Sequence, residues 1–271
     1  MKSCILALDV GTSAVKASLV SEKLKIIGEI SCGYPTYTPR MRQVEQNPQD
    51  WWYAACRASR ELMECLGGYS VEAVAVSGHM LGLLSVDKRG EPLTASMIHA
   101  DTRSETEADY IAHAFGKDYM YDLTGNVLSP AATLCKALWL KENMGDIYKK
   151  SARFLQCKDY LNFRMTGNLN STDYSDASHG MLIDIRKKRY LSDVFADIGL
   201  NSELFPELHA STDIIGRLTQ NAAVELGLVS GIPVVAGGRR WCLLQCGCGH
   251  WDSRRCVLLL GNYRMDRLQY G

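Results

Sequence analysis

Three short apolar runs open the chain. Residues 4–10 are nearly continuous, residues 15–20 alternate weakly, and residues 24–30 follow Ser21-Glu22-Lys23. Runs this close together predict an antiparallel meander with a tight polar turn at Gly11-Thr12-Ser13. The period then changes. Asn47-Pro48 reads as a helix cap and a first helical residue. Trp52, Ala55, Ser59, Leu62 and Leu66 then recur at steps of three and four until Gly67-Gly68. Residues 71–77 and 83–87 read as strands, separated by Gly78-His79-Met80-Leu81-Gly82. Helical spacing returns over residues 102–115, 134–143, 159–165 and 220–226, and residues 232–236 form a short buried strand. Strands first, then strands alternating with helices, predict an α/β layer fold.

The length of 271 residues allows one large domain or two small ones. An apolar share of 46% and a charged share of 22% are those of a globular protein. No apolar run reaches about 18 residues, so no membrane span is expected. The N-terminus lacks the pattern of a signal peptide, and a cytoplasmic protein is expected. Cys4, Cys32, Cys56, Cys65, Cys135 and Cys157 are scattered, and read as small buried residues in a reducing compartment. Charge divides the chain more sharply. Residues 1–238 carry a net −4, and residues 239–271 carry +4, with six arginines and no lysine. The acidic body has no basic cluster, which argues against a nucleic-acid partner. The final segment also holds four of the ten cysteines and two of the five tryptophans.

Asp9-Val10-Gly11-Thr12-Ser13 falls where a strand gives way to a turn. Glycine lets backbone approach a phosphate, and the turn's N–H groups and hydroxyls can donate to phosphate oxygens. Asp9 can hold magnesium, directly or through water, and Lys16 adds a nearby cation. An ordinary hairpin turn explains the same residues.

Further segments carry a resemblance. They are residues 6–16, Val44-Glu45-Gln46-Asn47-Pro48 with Trp51-Trp52, and residues 77–82. His99-Ala100-Asp101-Thr102-Arg103, Leu138-Trp139-Leu140-Lys141, and Lys158-Asp159-Tyr160-Leu161 with Thr166-Gly167 follow. Residues 172–178 and 231–238 complete the set. In this order they resemble the N-terminal half of the FGGY family of carbohydrate kinases, nearest its xylulokinase-like branch. The resemblance implies a ribonuclease H-like, actin-type ATPase domain with a mixed sheet flanked by helices, covering residues 1–238. It implies ATP and Mg2+ as cofactors and a small sugar or polyol as substrate, met in a cleft with a second domain. It implies that Asp9, Gly11, Thr12, Ser13 and Lys16 face phosphate or magnesium. Met80, His79, Asp101, Glu45 and Gln46 would line the sugar pocket. Plain core packing also accounts for Met80, and capping of a helix from Thr102 also accounts for Asp101. The xylulokinase pattern reads glutamine-methionine-histidine where this chain has His79-Met80-Leu81, which puts xylulose itself in doubt.

The family pattern continues Gly237-Gly238 with a third glycine and then an aspartate, the general base for the sugar hydroxyl. This chain has Arg239-Arg240. A guanidinium stays protonated and accepts no proton, so no catalytic residue is retained. Residues 239–271 are therefore expected to be frameshifted and poorly ordered. Moving the frame by one base forces glycine from Trp241-Cys242 and from Trp251-Asp252, and tryptophan from Met265-Asp266. With permitted codons the segment reads glycine-aspartate-glycine at its start and a glycine-threonine loop further on. The competing reading gives Cys242, Cys246, Cys248, His250 and Cys256 to zinc, but they lack the paired Cys-x2-Cys spacing. A non-catalytic remnant that binds sugar is the alternative to an active kinase.

Overall fold

The structure is a computed structural model that describes residues 1–239. The zinc alternative and the expected frameshift beyond Arg239 lie outside the described residues.

The central sheet has seven strands. They are β1 (Lys2–Val10), β2 (Ala14–Ser21), β3 (Ile26–Gly33), β4 (Tyr69–Gly78), β5 (Ile214–Arg217), β6 (Pro233–Val235) and β7 (Gly238–Arg239). Their order is β5-β6-β4-β1-β2-β3, with β7 also pairing β4. The expected meander is present, β1 with β2 and β2 with β3, both antiparallel. Parallel pairing of β1 with β4, and of β6 and β7 with β4, makes the sheet mixed. Residues at every second position of β1, Cys4, Leu6, Leu8 and Val10, are buried, as the two-residue period of a strand requires.

Helix α1 (Pro48–Cys65) crosses from β3 back to β4. The Asn47 side chain accepts from Gln49 N at 3.1 Å, and Pro48 occupies a position with no hydrogen bond to lose. Trp51, Trp52, Ala55, Ser59 and Leu62 are buried beneath it, packed with β2 and β3. The other helices are α2 (Glu105–Phe115), α3 (Lys117–Thr124), α4 (Thr133–Asn143), α5 (Gly145–Lys150), α6 (Cys157–Thr166), α7 (Tyr174–His179), α8 (Ser192–Asp197) and α9 (Gln220–Leu226). One core joins the sheet to α1, α6 and α9. A second lies under α2, α4 and α8, with Phe154, Phe195 and Phe205 at its centre.

Two expectations are corrected. Helix α2 starts at Glu105 behind Ser104, so Asp101 is not its cap. Asp101 instead accepts from Arg103 N at 3.2 Å and closes a turn ahead of the helix. Cys65 is exposed at the end of α1, whereas the other five cysteines among the described residues are buried. All six are free thiols.

Candidate functional site

Three parallel strands end side by side. Asp9 stands opposite Ser77, Val10 opposite Gly78, Gly238 opposite Ser77 and Arg239 opposite Gly78. The loops that leave β1 and β4 therefore emerge together, beside the end of β7. Ligands in sheets of this kind bind outside the carboxyl ends of parallel strands. The packing here is close. Gly237 has φ +72°, and a Cβ there would fall 1.9 Å from Val76 O. Only glycine lets β7 lie this near β4.

The turn after β1 has its acceptors turned inward. Gly11 O accepts from the Tyr34 hydroxyl, Thr12 O from Gln46 Nε2 at 2.6 Å, and Ser13 O from Tyr34 N at 3.1 Å. Thr12 and Ser13 are exposed. A turn whose three carbonyls are all occupied by protein donors presents hydroxyls outward, which suits a phosphate. The half-buried Asp9 carboxylate beside it accepts from Ser77 Oγ at 3.1 Å. These residues fit a magnesium nucleotide. Lys16 stands directly opposite Asp9 across the antiparallel pair of β1 and β2. Its ammonium pairs with Glu29 at 3.4 Å, and Glu29 lies opposite Ser18, further along β2 from the turn.

Gln46 is a strut. It is fully buried, and its amide donates to Thr12 O and to Thr36 Oγ1 at 2.7 Å. Its oxygen accepts from Trp51 Nε1 at 2.9 Å. Both ends of the amide are engaged inside the chain, and it braces the turn at residues 11–13. Asp101 is similarly filled. Its buried carboxylate accepts from Val44 N at 2.7 Å and from Arg103 Nε at 2.9 Å and Nη2 at 2.6 Å. Arg103 Nη2 also reaches Glu45 Oε1 at 2.6 Å, and its guanidinium lies 5.0 Å from the Trp139 ring centre. A carboxylate offers about four lone-pair sites, so Asp101 has none left for a sugar hydroxyl. Its role is to anchor Arg103, which holds the half-buried Glu45.

The loop after β4 is strained and clamped. Leu81 takes φ +63°, uncommon for a bulky residue. Its carbonyl accepts from Lys136 Nζ at 2.7 Å, and the same ammonium donates to Ile98 O at 2.7 Å. Lys136 is fully buried on α4, and burial brings it down to about 7. It ties residues 79–81 to residues 98–101. Met80, within this loop, is half-buried. His79 is 6% exposed, with its ring edge-on to Trp51 at 5.4 Å. Burial pushes it down to about 3, with His99 and Lys136 adding to the shift, so it is neutral at ordinary pH.

Sequence reasoning missed Lys136, His99 and the arginine fork of Arg103. It also missed a buried charge cluster behind β7. Lys158, fully buried, lies 2.6 Å from Asp159, 3.0 Å from Asp173 and 3.4 Å from Asp176. Asp173 also accepts from Ser211 Oγ at 3.2 Å, and a Cβ on Gly238 would meet that hydroxyl at 3.1 Å. The cluster thus supports the strand that should lead to the base. Among the described residues, no group of three or more His, Cys, Asp or Glu side chains is placed to hold a metal ion. No described helix is long and apolar enough to cross a membrane.

Residues 4–240 match the N-terminal domain of the FGGY family of carbohydrate kinases. The chain belongs to this family. It is 34% identical over 259 residues to the xylulose kinase of Bacillus subtilis (strain 168), covering 95% of this chain and 52% of that protein. The ligand-bound xylulose kinase of Lactobacillus acidophilus superposes with a TM-score of 0.85 at 24% identity, over 90% of this chain and 50% of that one. The gluconate kinase of Lactobacillus acidophilus gives 0.84 at 24% identity, over 90% and 49%. The chain spans about half the length of the curated relatives it matches. The fold is the actin-type ATPase arrangement of these FGGY relatives, a mixed sheet flanked by helices.

Proposed function

We propose that residues 1–238 form the sugar-binding half of an ATP-dependent carbohydrate kinase, acting on a xylulose-like ketose or polyol. The observation that carries this reading is the turn 11–13, whose carbonyls are all held by protein donors, next to the Asp9 carboxylate and the β4 loop. Asp9, Thr12 and Ser13 would face the phosphates and their magnesium. The nucleotide supplies the transferable phosphoryl group. Arg103, held by Asp101, orients Glu45, and the clamp of Lys136 sets the position of Met80 and His79.

The reading includes a missing part. Arg239 and Arg240 stand where a proton acceptor is needed, and a guanidinium cannot serve. We read residues 239–271 as the product of a shifted frame. Loss of a general base costs about 10²–10⁴-fold in rate. The chain by itself should bind a sugar and turn it over at background rate. The test is calorimetric titration with D-xylulose, D-ribulose, glycerol and D-gluconate, followed by coupled ADP release with the same panel. Binding without turnover supports the reading. Turnover by this polypeptide overturns the inactivity, and absence of binding across the panel overturns the sugar-binding role.

A further inference from the structure

Two residues remote in sequence grip the turn at residues 11–13. Tyr34, just after β3, holds it twice. Its hydroxyl donates to Gly11 O, and its N–H donates to Ser13 O at 3.1 Å. Gln46 holds the carbonyl between those two, Thr12 O, through Nε2 at 2.6 Å. The Gln46 amide has one orientation. An indole N–H only donates, so the contact from Trp51 Nε1 at 2.9 Å puts Oε1 on that side. The two amide hydrogens then face Thr12 O and Thr36 Oγ1. The backbone of Gln46 is fixed as well, because Glu45–Gln46 pairs antiparallel with Ser96–Met97. Gln46 and Trp51 are both fully buried, so water does not compete for these bonds.

We infer that Gln46 and Tyr34 are positioning residues for a phosphate group bound at the turn, which places Gln46 on the nucleotide side of the site and not in the sugar pocket. This rests on the phosphate-binding reading of the turn proposed above and deepens it.

The physical reason is the sign of the charge that each peptide group presents. Phosphate is drawn to N–H and O–H groups and repelled by carbonyl oxygens. A short turn has three carbonyls to hide, and one swung outward would set a partial negative charge against an anionic ligand. Here each of the three has a protein donor, two from Tyr34 and one from Gln46. Thr12 and Ser13 are left exposed on the open side. A turn already held in this shape has less freedom to lose when the ligand binds. A sugar hydroxyl has no comparable access to Gln46. Both amide hydrogens are in use, and the side chain has no exposed surface.

The test separates the two ligands. The full chain, labelled with 15N, would be titrated with magnesium pyrophosphate. In a parallel arm it would be titrated with whichever of D-xylulose, D-ribulose, glycerol and D-gluconate binds. Pyrophosphate should move the amide signals of Thr12 and Ser13 in the native chain. Tyr34→Phe removes one donor to the turn, and Gln46→Met keeps the side chain's length while removing its amide. Each should weaken pyrophosphate binding roughly three- to tenfold and leave sugar binding unchanged. A merely structural role would weaken both ligands alike, and a place in the sugar pocket would make Gln46→Met lose the sugar. Either result overturns the inference. If both variants bind pyrophosphate as the native chain does, the inference falls and the phosphate reading of the turn stands. If pyrophosphate leaves Thr12 and Ser13 unmoved in the native chain, that reading falls and the inference with it. If no sugar binds, the proposed function fails, and the inference fails with it. Tyr34 is half-buried, so Tyr34→Phe keeps the test readable if the change at fully buried Gln46 prevents folding.

Discussion

The imidazole of His79 links burial to acid sensitivity. Its ordinary value is 6.5, and burial lowers it to about 3 in the folded chain. Below pH 6.5 the unfolded chain binds a proton that the folded chain refuses until about pH 3. The stability from this group is therefore present in full above pH 6.5 and is lost as pH falls toward 3. The slope is about 1.4 kcal/mol per pH unit. Urea unfolding should show the native chain losing about 2 kcal/mol more than His79→Gln between pH 6.5 and pH 5. Equal losses would mean the ring is not shielded from water. At this scale the sequence is partly legible. Asp9 and the Gly11-Thr12-Ser13 turn announce themselves by residue type and position. Gln46 and Asp101 were assigned to the sugar through the family resemblance, and in the structure both are engaged by partners inside the chain. Lys136 sits in a helical run where a lysine ordinarily snorkels to water, and its burial against two loop carbonyls has no local signal.

At the scale of elements, the long and capped ones were legible. The meander and helix α1 behind Asn47-Pro48 follow from periodicity and caps, and the seven-residue α9 is marked by its stop at Gly227. The short helices α3, α5, α7 and α8 were not, because six to eight residues hold too few turns to show a period. The parallel pairing of β1 with β4 was also hidden, since strand neighbours separated by a crossover leave no mark in either strand. Two glycines test the close packing of β7. Gly237→Ala meets both a left-handed φ and a backbone oxygen at 1.9 Å, and should cost about 3 kcal/mol or more. Gly231→Ala has φ +85° with nothing within 4 Å, and should cost only about 1–2 kcal/mol. Equal costs in chemical denaturation would show that β7 does not press on β4. Lys158 joins α6, α7 and the strand Ser171–Asp173 through fully buried charge. Lys158→Met leaves the aspartates uncompensated and should lower stability by about 3–5 kcal/mol. Burial already raises Asp176 to about 8 and keeps it protonated at neutral pH, which limits the repulsion. A loss under about 1 kcal/mol would mean the cluster is wet.

At the scale of the whole molecule, the composition of the chain changes at Arg239. The family match runs over residues 4–240, while the arginine-rich, lysine-free composition begins at Arg239. The structure brings Arg239 alongside Gly78, where the loops from β1 and β4 converge. The shift we propose rests on outcomes that the genetic code forces, such as glycine from Trp241-Cys242. The measurement that tests this most directly is ADP release by the product of the same gene after removal of the first base of codon 239, assayed with the four-compound panel. The account predicts sugar-dependent turnover from that product and none above background from the present chain. No turnover from the corrected product, or equal turnover from both, would contradict it.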